Sequence, residues 1–160
     1  SNMKLATNRA MPYHWLKAAG ANVCLGTDGC ASNNNLDMFE EAKTAALLQK
    51  FFWNNPTILP AHDALLLATE NGGTALGFGT GKLSIGAPAD IILVSTHSVC
   101  NTPLHNIASN LVYSCNGGAV DTTICDGKVL MLERTIPTEA AIRENASFAA
   151  QELVRRAGNT

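Results

Sequence analysis

The spacing of apolar residues changes once along this chain, near Gly77, and that change constrains the fold more than any other feature. Before it, apolar positions recur at three and four residues, the period of helices lying on a core. After it they fall in short β-branched runs bounded by turn residues, and residues 120–125 alternate apolar with polar at period two. The class this predicts is α/β, with helix giving way to strand and Gly77 as a candidate domain boundary.

Local signals place the individual elements. Pro12 and Gly20 bracket a helix over 12–19, with proline in the first turn and glycine just past the end. Residues 21–25 predict a short buried strand. A longer helix is expected from Asn35 or Leu36 to about Trp53, with Leu36, Phe39, Ala42, Ala46 and Leu47 on one apolar face and Asn54-Asn55-Pro56 closing it. Pro60 opens a further helix that Asn71-Gly72-Gly73 breaks before a short turn through Ala75 and Leu76. Residues 91–94 and 120–125 predict strands, Asp126-Gly127 is a two-residue hairpin signal, and 129–132 supply the returning strand. Residues 138–157 predict an amphipathic helix with Thr138 as N-cap, Ile142, Phe148, Leu153 and Val154 as apolar positions, and Arg155-Arg156 in the last turn.

Composition excludes several function classes. With 46% hydrophobic and 15% charged residues in 160, the chain fits a soluble globular protein. A net charge of −2 with no basic patch argues against nucleic acid, and the apolar stretches are far short of a membrane span. Five cysteines without a C-x-x-C pair fit reduced cytosolic thiols, so a cytoplasmic location is expected.

Asp28 is the residue most open to a chemical reading. An apolar strand delivers its carboxylate into a loop rich in glycine and asparagine, which is how a barrel enzyme presents a ligand or proton carrier at a strand's C-terminal end. An Asp-Gly pair is also a common turn, and the local pattern fits both uses. Ser32, Asn33 and Asn34 can contact a polar ligand from the same loop or cap the helix expected at Leu36. Cys30 reads as a loop filler, Asp90 as a turn residue without chemistry, and His14, His62, His97 and His105 as surface or capping groups.

Several stretches carry a family pattern: Ser1 to Ala6, Val23-Cys-Leu-Gly-Thr-Asp28-Gly-Cys-Ala-Ser-Asn-Asn34, Ala68-Thr-Glu-Asn-Gly-Gly73 and Gly81-Lys-Leu-Ser-Ile-Gly-Ala-Pro-Ala-Asp90. They resemble the C-terminal half of the amidohydrolase superfamily, and within it the 5-methylthioadenosine/S-adenosylhomocysteine deaminases and the related triazine chlorohydrolases. The resemblance implies the last part of a metal-dependent (β/α)₈ barrel over 1–78, part of a small β-sandwich over 79–133, and a terminal helix over 134–160. It implies that Asp28 closes the eighth barrel strand, binds a divalent metal, zinc foremost, and passes a proton from the attacking water. Ser32 and Asn33 of the loop are the candidate substrate contacts, and the resemblance implies an adenosine-type nucleoside deaminated at C6 as the substrate.

The chain departs from the family in what it lacks. The family's His-x-His pair and its two further histidines have no counterpart here, and one carboxylate cannot make a catalytic zinc site of three protein ligands. A whole barrel needs ~250 residues. The expectation is therefore a fragment, inactive by itself, whose partner is a missing N-terminal half of the same protein, with a homo-oligomer possible. A triazine-type hydrolase and a non-catalytic structural or assembly fragment are the alternatives. Ser1-Asn2 fit both the family motif and the remnant of an expression tag.

Overall fold

The computed structural model describes residues 9–158, so Ser1-Asn2 and the motif through Ala6 lie outside the described residues. Helices come first: α1 (Tyr13–Ala18), α2 (Cys30–Asn33), α3 (Met38–Phe52), α4 (Ala61–Ala68) and α5 (Glu70–Leu76). They are followed by β1 (Ile91–Val94), α6 (Ile107–Ser109) running into a π-helical turn at Asn110–Ser114, β2 (Val120–Cys125), β3 (Lys128–Met131) and α7 (Glu139–Ala157). The α/β class holds.

The core lies between α3 and α4. Ala42, Ala45 and Ala46 of α3 are buried in one cluster with Ala61 and Ala64 of α4, and such small side chains let two helices approach closely. Tyr13, Leu59, Leu67 and Val112 fill the space the alanines leave. Polar ties lock the edges of this cluster. Gln49 Nε2 donates to the Met11 carbonyl at 2.8 Å, and Lys50 Nζ donates to the carbonyls of Ile58 and Leu59 at 2.8 and 2.7 Å. Asp63 of α4 accepts from the Tyr13 hydroxyl at 3.2 Å and pairs with Lys17, fastening α1 to α4.

Three strands form one antiparallel sheet in the order β1-β2-β3, with Ile91 opposite Ile124 and Cys125 opposite Lys128. The hairpin turn is set by Asp126 and Gly127, whose φ angles of 47° and 74° are both positive, as a type I′ turn requires. Asp90 holds that turn in place: its carboxylate accepts from the Asp126 N–H and the Thr80 hydroxyl, both at 2.7 Å. These bonds, the Asp126 N–H foremost, also keep the Asp90 carboxyl below its usual range.

Several expectations are corrected. Residues 21–29 carry no regular secondary structure, because a strand needs ladder partners and no other strand lies beside this segment among the described residues. Its backbone is tied instead to helices: the Leu25 N–H donates to the Leu67 carbonyl at 2.9 Å, and Asn71 Nδ2 to the Val23 carbonyl at 2.8 Å. α3 starts at Met38 rather than at Asn35 or Leu36, and Leu36 and Leu47 are exposed. The break before α5 falls at Thr69, with φ −132° and ψ −94°, while Asn71-Gly72-Gly73 lie inside the helix. Gly73 serves close approach: a Cβ there would sit 2.0 Å from the Thr80 carbonyl oxygen. The end of α5 is at Gly77, in the left-handed conformation common past helix ends. Thr138 makes no side-chain cap bond to α7, and the expected apolar positions Ile142, Phe148, Leu153 and Val154 are all exposed.

Candidate active site

The site is built on the loop that leaves residues 21–27. Burial alternates along this segment: Val23 and Leu25 pack against the helical core, whereas Asn22, Cys24, Gly26 and Asp28 are exposed. At Asp28 the backbone enters the left-handed region, with φ 61°, a conformation that aspartate tolerates better than most residues. That turn redirects the chain into α2.

Donors from its own loop orient the Asp28 carboxylate. The Gly29 N–H donates to Oδ1 and the Ser32 hydroxyl to Oδ2, both at 2.7 Å. The Ser32 oxygen also lies 3.1 Å from the Gly29 carbonyl. Asp28 thus acts as a local turn anchor and remains exposed. Asn33, half-buried, turns inward and donates Nδ2 to Glu41 Oε1 of α3 at 2.7 Å. Asn34 follows with φ 67° and ends α2.

The capping role expected for Ser32, Asn33 or Asn34 at the next helix belongs to Asp37. Its Oδ1 accepts from the N–H groups of Phe39 and Glu40 at 2.9 and 3.4 Å, and its Oδ2 from the Gly117 N–H at 2.7 Å. One carboxylate therefore caps α3 and ties it to a turn 80 residues on. Sequence reasoning missed both Asp37 and Glu41. The signal was available in Asp37-Met-Phe-Glu40, an acidic cap with Glu three residues later; the asparagine run before it drew the assignment away.

The remaining candidates are dispersed. His14 packs edge-on against Trp53, with ring centroids 4.6 Å apart, in an aromatic cluster that includes Trp15. The His62 side chain is exposed and lies 3.8 Å from Asp63, and His97 and His105 are exposed. Cys30 is the first residue of α2 and is exposed. Among the described residues no three His, Cys, Asp or Glu side chains are grouped to hold a metal ion.

Comparison with known proteins places this arrangement in a family. The model of the amidohydrolase family matches residues 1–130. The 5′-deoxyadenosine deaminase of Methanoregula boonei is 69% identical over 98% of this chain, which spans 36% of that protein. The 5-methylthioadenosine/S-adenosylhomocysteine deaminase of Halobacterium salinarum is 46% identical over 99% of the chain, which spans 37% of it. A crystal structure of an adenosine deaminase from Xanthomonas campestris with bound zinc superposes with a TM-score of 0.89 at 37% identity, covering 96% of this chain and 36% of that one. The chain spans about a third of the length of the relatives it matches, and over that span it belongs to the amidohydrolase family.

Proposed function

We propose that this chain is the C-terminal portion of a metal-dependent deaminase that hydrolyses the C6 amino group of an adenosine-type nucleoside. The 69% identity to a 5′-deoxyadenosine deaminase across nearly the whole chain carries the reading. In this proposal residues 1–78 are the end of a (β/α)₈ barrel, 79–133 part of a β-sandwich and 134–160 a terminal helix. The alternating burial of 22–28 supports it, since Val23 and Leu25 turn to the helices as the outer face of a barrel strand does, and Asp28 emerges on the opposite face.

A divalent cation, zinc in the adenosine deaminase of similar fold, would be held by Asp28 with ligands from outside this chain and would make a water acidic enough to react near neutral pH. Asp28 accepts a proton from the water as its oxygen bonds to C6, then returns a proton to the amino group as the C–N bond breaks, so that water and the amine leave as the C6 oxo product and ammonia. Ser32 is a positioning residue that, with the Gly29 N–H, aims the carboxylate. Asn33 steadies the loop against α3, and contact of either side chain with substrate belongs to the same proposal.

The N-terminal part of the protein supplies the missing ligands and covers apolar surface left open here, such as Phe51, 85% exposed on α3, and the apolar positions of α7, none of which is buried. By itself the chain is inactive. A cytoplasmic setting belongs to the same proposal. The test is ammonia release by the complete polypeptide from 5′-deoxyadenosine, 5-methylthioadenosine and S-adenosylhomocysteine, with a chlorotriazine in parallel. Turnover of the nucleosides is expected; turnover of the triazine without them contradicts the proposal.

A further inference from the structure

Away from Asp28, two cysteines fifteen residues apart meet. Cys100 lies in the 3₁₀ turn Val99–Asn101, and Cys115 directly follows the π-helical turn Asn110–Ser114. Side-chain amides knit the two turns together. Asn101 Nδ2 donates to the Ser95 carbonyl at 2.7 Å, and Asn110 Nδ2 donates to the carbonyls of Cys100 and Pro103 at 3.4 and 3.2 Å. The result is an Sγ–Sγ separation of 3.1 Å, with Cys115 also donating to Asn101 Oδ1 at 3.3 Å and the Ser98 hydroxyl 3.1 Å from the Cys100 sulfur.

We propose that Cys100 and Cys115 are a modification site, a thiol pair that closes reversibly to an intramolecular disulfide when a peroxide reaches Cys100. The two sulfurs differ in the way this division of labour needs. Cys100 is half-buried, and the Ser98 hydroxyl and the Cys115 thiol lower its pKa, so it is the thiol that ionises and meets oxidant. Cys115 is buried, and burial together with Cys100 pushes its pKa up to about 11, which keeps it protonated and shielded until its neighbour has reacted.

The chemistry balances with hydrogen peroxide. The Cys100 sulfur attacks one peroxide oxygen, the O–O bond breaks, and the departing hydroxide takes up the thiol proton as water, leaving a sulfenic acid. The Cys115 sulfur then displaces the hydroxyl, which leaves as water with the Cys115 proton. The pair gives up two electrons and two protons, and peroxide becomes two waters. A small dithiol reopens the bond by exchange. This site stands apart from the deaminase reading and does not depend on it.

The test is peptide mapping of the complete polypeptide after peroxide treatment and alkylation. Trypsin is unsuitable because no Lys or Arg lies between Lys82 and Lys128; chymotrypsin with an Asp-directed protease, cutting after Leu104 and Tyr113 and before Asp121, puts Cys100, Cys115 and Cys125 on separate peptides. The expected product under non-reducing conditions is the two peptides joined and two hydrogens lighter than their sum, separating on addition of dithiothreitol, with the exposed Cys24 and Cys30 outside the crosslink. Alkylation of both Cys100 and Cys115, over-oxidation of Cys100 with Cys115 free, or pairing of either with another cysteine overturns the proposal.

Discussion

Replacing Asp37 separates the two duties its carboxylate performs. Alanine removes the cap on α3, about 1 kcal/mol, and the charge-assisted bond to the Gly117 N–H, at the lower end of about 1.5–3 kcal/mol because Gly117 is exposed. The expected loss is about 2–3 kcal/mol. Asparagine keeps an oxygen where Oδ1 accepts from Phe39 but turns its amide NH2 toward the Gly117 N–H, losing that bond, about 1.5 kcal/mol. Serine keeps a capping oxygen and is too short to reach Gly117, so it falls with asparagine. Urea unfolding of the complete polypeptide at constant m reads these differences as shifts in midpoint. The expected order is wild type, then asparagine and serine, then alanine. Equal losses for all three, or losses all within about 0.5 kcal/mol of zero, would refute the double role.

Two further perturbations test the packing. In α5, Gly72→Ala meets nothing within 4 Å and gains helix propensity of about 1 kcal/mol, whereas Gly73→Ala drives a methyl to 2.0 Å from the Thr80 carbonyl and loses about 1–3 kcal/mol; adjacent variants unfolding at the same urea concentration would contradict the close approach. Burial raises the Asp63 pKa, but Lys17 and Tyr13 outweigh it and hold the carboxyl below its ordinary value of 3.8. The stability this contributes is present above that value and is lost as pH falls through the lower folded one. Wild type should therefore exceed Asp63→Asn in urea midpoint at neutral pH and lose that advantage in acid below pH 3.8; a gap that is constant across pH, or widens in acid, would contradict the ion pair.

What could be read from the chain was what short-range chemistry decides. The hairpin at Asp126-Gly127, strand β1 and the span of α7 follow from turn residues and periodicity within a few positions. What could not be read depends on neighbours distant in sequence. Residues 21–25 have the composition of a strand but no ladder partner beside them among the described residues, and Gly73 looks like a helix breaker until Thr80 is seen packed on it. The apolar positions of α7 were legible, yet nothing among the described residues covers them. At the candidate site, Asp28 was conspicuous by its place after an apolar run. Ser32's bond to it and the Asn33–Glu41 contact needed the fold of α2 against α3. The Cys100–Cys115 contact, between two turns with no shared sequence signal, left no trace in the spacing.

The most direct test of the deaminase proposal is Asp28→Asn in the complete polypeptide, assayed for steady-state ammonia release from 5′-deoxyadenosine with metal content measured on the same preparation. Asparagine retains the shape and one acceptor oxygen and is among the best residues for a left-handed turn, so a merely structural Asp28 would tolerate it. It cannot accept and return a proton. The expected result is a loss concentrated in kcat, of at least about a hundredfold, with the fold intact and metal content reduced. A kcat within about tenfold of wild type, ~1.4 kcal/mol of barrier, would contradict a catalytic Asp28.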